Sequence, residues 1–119
     1  MKIYRTYTLH SARFIPTLDT NHPCSKMHGH TFKIIIEIDG SIDEQTGFVM
    51  DFYDLDIIVN DKIINKIDHK ILNDIEGLEN PSSEHLSVWI WNQLIVHIPI
   101  LSEITVSEDI GTGIKYSGQ

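Results

Sequence analysis

The sequence predicts an α+β fold, a four-stranded antiparallel sheet with two helices on one face in the order ββααββ. Three features carry this. Alternating stretches rich in Ile, Thr and aromatics, at both ends of the chain, have the period of strands. Two central stretches repeat apolar residues at helical spacing. Gly, Pro and Asn clusters punctuate the intervals, and such elements stack as two layers.

Ile3 to Leu9 alternates aromatic, Thr and aliphatic residues and reads as the first strand, with room to continue to Phe14. Pro16 to Pro23 is a loop, closed by prolines at both ends, and it leads to Cys24. The stretch Thr31 to Ile38 nearly alternates, so a second strand sets Phe32, Ile34, Ile36 and Ile38 on one face. It stops at Asp39-Gly40, and the two strands form an antiparallel pair with a long, functional connection.

Asp51 stands as an N-cap, and with Asp54 it places negative charge where the helix dipole favours it. Leu55, Ile58, Val59, Lys62, Ile63 and Ile67 then predict a helix over about 52–66. Asp56, Asn60, Asp61, Asn65 and Lys66 form its wet face. Pro81-Ser82-Ser83-Glu84 starts a second helix, with hydroxyls to cap it and an acid in its first turn. Its stripe of Leu86, Trp89, Ile90 and Leu94, broadened by Val88, Trp91 and Ile95, suits burial between layers, and Pro99 is its stop. Glu103 to Glu108 alternates strictly as a third strand. Asp109 to Gly113 is a turn, and Ile114-Lys115-Tyr116 begins a short fourth strand. Unpaired sheet edges and the broad apolar helix predict a ring of subunits joined edge to edge.

Composition excludes several classes. The chain has 119 residues, 41% of them hydrophobic, which is enough for one soluble domain with a core. Nine Lys and Arg stand against seventeen Asp and Glu, a net charge of −8, so phosphate-rich nucleic acid is a poor partner. No apolar run has bilayer length and the N-terminus lacks a signal-peptide core, so no membrane role is expected. A lone cysteine permits no internal disulfide and suits the reducing cytoplasm.

The chemistry gathers at Cys24-Ser-Lys-Met-His28-Gly-His30. If the second strand begins near His28, both imidazoles share a face, their Cα atoms about 6–7 Å apart. Gly29 between them leaves the opposite face bare. Two imidazoles on one face are a start to a metal site, usually zinc. Cys24 lies in the loop just upstream. Asp68-His69 is either an exposed loop pair or an imidazole for proton transfer with a carboxylate beside it. Glu108 shares parity with Ile104 and Val106. Either the strand ends there and Glu108 is solvated, or the carboxylate meets a donor-rich ligand, since burying it alone is expensive.

Taken in order, Cys-x3-His-Gly-His, Gly47-Phe-Val-Met-Asp-Phe52, Asp68-His69, Leu78-Glu-Asn-Pro-Ser-Ser-Glu84 and Glu108 resemble the 6-pyruvoyltetrahydropterin synthase family. The spacing of Cys24 from His28 is similar to its bacterial 6-carboxy-5,6,7,8-tetrahydropterin synthase branch, which acts in queuosine biosynthesis. The resemblance implies the tunnelling fold (T-fold): trimers closing into a barrel and stacking as a homohexamer, with active sites between subunits. It implies conversion of 7,8-dihydroneopterin triphosphate to 6-carboxytetrahydropterin, with loss of triphosphate and acetaldehyde. The family's other product, 6-pyruvoyltetrahydropterin, and pterin binding without catalysis are the alternatives. By the same resemblance His28 and His30 are ligands of Zn2+, which would hold the substrate's side-chain hydroxyls. Cys24 is the base, and His69 held by Asp68, from a neighbouring subunit, relays protons. Glu108 grips the pterin edge, and Ser82 and Ser83 touch the pterin. The family's third zinc ligand is a histidine near the end of the first strand, where this chain has Arg13. His10, on the other face of a regular strand, and His22, in the loop, are the substitutes within reach.

Overall fold

The computed structural model describes residues 1–108 and 110–119. Alternation becomes four strands, β1 (Lys2–Arg13), β2 (His28–Asp39), β3 (Leu101–Ser107) and β4 (Ile114–Tyr116), in one antiparallel sheet ordered as in the chain. β1 continues past Leu9, because it pairs with β2 from Lys2 opposite Asp39 to Arg13 opposite His28. Asp109, placed by sequence in the turn before β4, lies outside the described residues.

Parity then sorts the sheet into two faces. Phe32, Ile34, Ile36 and Ile38 are buried with Leu9, Leu101, Ile104 and Val106, while Thr31 and Lys33 are exposed. A register shift at Glu37/Ile38 sets Ile38 opposite Leu101, which keeps the inward apolar residues of β2 and β3 in phase.

Asp51 caps α1 (Phe52–Val59), its carboxylate accepting from the Tyr53 N–H at 2.9 Å. The helix is not regular over the predicted span. It passes through a π-helical turn (Asn60–Ile64) into a last α turn, α2 (Asn65–Ile67). The buried residues Leu55, Val59, Ile63 and Ile67 recur every fourth position. In a pure α-helix that repeat drifts about 40° per step, and a wider turn brings the row back onto the sheet. Asp56 is also not simply wet: it accepts from Arg5 Nε (3.1 Å) and the Tyr7 hydroxyl (2.6 Å), pinning α1 to β1. Burial first, then the Asp56 bond and charge, push the Tyr7 phenol up.

Ser82 caps α3 (Ser83–Leu94), accepting from the His85 N–H at 3.1 Å. The helix ends before Pro99, because the N–H groups of His97 and Ile98 both turn back to the Leu94 carbonyl. Leu86, Trp89, Ile90 and Leu94 enter the core as expected. After α2 the chain lies along the outer edge of β1: the His69 N–H donates to the His10 carbonyl, and the Ala12 N–H to that of Lys70. A parallel bridge joins Ala12 to Ile71. Part of the β1 edge is therefore covered from within the chain. Among the described residues no helix is long and apolar enough to cross a membrane.

Candidate active site

The helix-facing side of the sheet is apolar along most of β2 and turns polar at its start. Cross-strand register sets Ser11 opposite His30 and Arg13 opposite His28. His28 and His30 share this face as their spacing predicts, with ring centroids 4.6 Å apart and planes at 83°. Phe32, next on the same face, lies 5.6 Å from His30 and 5.2 Å beneath the Arg13 guanidinium.

Arg13 is the centre of the polar end. Its side chain is 5% exposed and forms an ion pair with Glu108. Its Nη1 donates to the Pro81 carbonyl (3.0 Å) and to Ser83 Oγ (3.3 Å). Ser83 in turn donates to Glu108 at 3.3 Å, and His30 Nε2 stands 3.7 Å from the same carboxylate. One arginine thus ties the end of β1 to the start of α3 and the end of β3. Glu108 lies just past β3, yet a fixed guanidinium meets it, so the lone solvated carboxylate is overturned. Sequence reading treated Arg13 only as a misfit. Its parity with Leu9 on a buried face, together with the parity of Glu108 with the buried Ile104 and Val106, is the sequence signal that the two charges meet.

Arg13, Cys24, Ser82, Ser83 and Glu108 line one cavity of about 360 Å³, floored by Val106 and Ile114. Cys24 reaches it from a 3-10 turn, Pro23–Ser25, whose first N–H groups His22 caps: Cys24 N–H donates to His22 Nδ1 at 3.0 Å. The Ile15 N–H donates to the Cys24 carbonyl at 2.7 Å, folding the loop back beside β1. The cavity therefore brings together polar side chains far apart in sequence, Arg13 and Glu108 being 95 positions apart.

Asp68 and His69 are not in this cavity. Asp68 accepts from the His10 N–H (2.9 Å) and meets His69 Nδ1 at 3.1 Å, and the His69 ring packs edge-on to His10 at 5.7 Å. His10 bonds Thr31, so all three lie on the face away from the helices. His69 is 74% exposed and holds a left-handed backbone, φ 57°. Burial pushes the Asp68 carboxyl up, but the His10 N–H and the adjacent His69 outweigh it, and the net shift is downward.

Whether these residues suit a metal turns on the donor set. His28 has the form of a ligand: Nδ1 lies 2.6 Å from the Lys26 carbonyl, and the buried Nε2 has no hydrogen-bond partner among the described residues. The third position is the obstacle. The Arg13 guanidinium puts a positive charge beside any cation there. Neither substitute serves, since His10 faces away and His22 spends Nδ1 on the Cys24 cap. Among the described residues no group of three His, Cys, Asp or Glu side chains could hold an ion. The donor set does not fit zinc.

A two-layer domain with a thiol, a carboxylate and hydroxyls around one cavity has the equipment of an enzyme acting on a small polar molecule. The chain belongs to the 6-pyruvoyl tetrahydropterin synthase family, whose profile matches residues 2–119. A provisionally named 6-carboxy-5,6,7,8-tetrahydropterin synthase of Archaeoglobus fulgidus is 46% identical over 71 residues, 60% of this chain and 58% of that one. The 6-carboxy-5,6,7,8-tetrahydropterin synthase of Synechocystis is 31% identical over 96% of this chain and 91% of its own. The 6-pyruvoyl tetrahydrobiopterin synthase of Dictyostelium discoideum is 32% identical over 81% of this chain and 74% of its own. In fold, the chain superposes on the 6-pyruvoyl tetrahydropterin synthase of Caenorhabditis elegans with a TM-score of 0.90, at 19% identity and over 100% and 96% of the two chains.

Proposed function

We propose that this protein is a pterin lyase of the 6-carboxy-5,6,7,8-tetrahydropterin synthase type, serving queuosine biosynthesis in the cytoplasm. It would take 7,8-dihydroneopterin triphosphate and water to 6-carboxytetrahydropterin, acetaldehyde and triphosphate. One observation carries this reading: Cys24, Ser82, Ser83 and Glu108, drawn from separate segments, line one cavity. The Synechocystis relative, aligned over most of both chains, supports the carboxy branch.

In this reading Glu108 accepts the amino and ring N–H groups of the pterin, while Ser82 and Ser83 bond its heteroatoms. The Cys24 thiolate moves protons on the side-chain carbons. Asp68 and His69, on the other face of their own sheet, serve a neighbouring copy, so the working unit is a ring of subunits, a homohexamer by family resemblance. Arg13, paired with Glu108 in the third ligand's place, argues against the zinc dependence that the resemblance implies.

Incubating the purified protein with dihydroneopterin triphosphate and assaying acetaldehyde tests the proposal. Acetaldehyde and triphosphate are expected in equal amounts, and Cys24→Ala should abolish both while pterin binding persists. A pyruvoyl product without acetaldehyde would move the chain to the other branch. Binding without turnover would leave a pterin-binding oligomer.

A further inference from the structure

Two buried polar atoms at the polar end of the sheet have no hydrogen-bond partner among the described residues: Arg13 Nε and His28 Nε2. They belong to residues directly opposed across β1 and β2, whose Cβ atoms in such a pair lie about 4.5–5.5 Å apart. Arg13 Nε can only donate. His28 Nδ1 faces the Lys26 carbonyl, which can only accept, so that nitrogen carries the hydrogen. In the neutral ring Nε2 is then a bare acceptor. A buried donor and a buried acceptor on directly opposed residues are complementary to a hydroxyl, which accepts one hydrogen bond and donates another.

A divalent ion would satisfy only half of this arrangement. It would take the lone pair of His28 and be repelled by a guanidinium that cannot move aside, since Pro81, Ser83 and Glu108 hold its other nitrogens. We propose that Arg13 takes the place of the metal: with His28 it grips a hydroxyl of the ligand, and the site binds no divalent ion. That the hydroxyl belongs to a pterin side chain rests on the function proposed above. The substitution of arginine for metal does not.

Both parts can be read without measuring turnover. The full chain is dialysed against zinc and its metal content measured. It is then titrated calorimetrically with neopterin, which carries side-chain hydroxyls, and with 6-methylpterin, which lacks them, each with and without EDTA. Wild type should retain less than about a tenth of an equivalent of zinc and prefer neopterin by about tenfold or more, EDTA making no difference. His28→Phe should lose the preference yet still bind 6-methylpterin. Arg13→His, which restores three imidazoles, should gain about one equivalent of zinc and show the visible band of a tetrahedral Co2+ site. Stoichiometric zinc in wild type, or a preference that EDTA removes, overturns the proposal. Equal binding of the two pterins overturns the hydroxyl grip. If neither pterin binds, the pterin reading falls, and the wild-type zinc content still decides the metal question. That measurement also stands should Arg13→His fail to fold.

Discussion

The sheet carries an imidazole pair on each face, and the two pairs have opposite fates. His28 and His30 face the helices, packed against each other, Arg13 and Glu108. His10 and His69 face away, with His69 mostly in solvent beside Asp68. Both pairs have a carboxylate, and among the described residues the inner one also has a buried cation, Arg13. Alternation along β1 and β2 sets His10 on the face opposite His28 and His30, and the strip after α2 brings His69 beside His10. Chemistry needing a fixed, water-poor setting fits the inner face, while the outer pair can act only where another surface comes to it.

This contrast predicts unequal costs of mutation. The largest effect should follow Glu108→Ala, which strands Arg13 as a buried unpaired charge: about 2–4 kcal/mol of stability lost in urea denaturation. A loss below about 0.5 kcal/mol would mean that the inner charges are solvated after all. Ser83→Ala, removing the hydroxyl between Arg13 and Glu108, should cost about 1–2 kcal/mol in the same measurement. On the outer face, His69→Gly relieves a left-handed backbone and should gain about 0.5 kcal/mol, while abolishing turnover if this imidazole relays protons. A stability loss there would show that the His69 ring is a structural contact. The smallest effect concerns pH. The Asp68 carboxyl is held below its ordinary value of 3.8, so its stabilising contribution is present above that value and lost as pH falls through the lower folded value. Acid unfolding of Asp68→Asn should therefore be less steep below about pH 4 than that of wild type.

Much of this was open to a reader of the chain. Strict alternation in β2 and β3, the Asp51 and Ser82 caps and the His-Gly-His face are local properties, set by side-chain parity and short-range hydrogen bonds. The π-helical turn was not legible, because it answers to the sheet beneath α1 rather than to helix propensity. Nor was the strip from His69 to Ile71 along β1, whose bonds join segments nearly sixty positions apart. Arg13 shows the boundary most clearly. Its position was countable from Cys24, but its partners lie 68, 70 and 95 residues away.

The sequence by itself therefore determined the two-layer architecture, the faces of the strands and the family, because periodicity and caps act within a few residues. Only the tertiary structure decided which charges meet. Burying a guanidinium is tolerable solely where distant segments bring it acceptors, and here the start of α3 supplies a carbonyl and a hydroxyl and the residue after β3 a carboxylate.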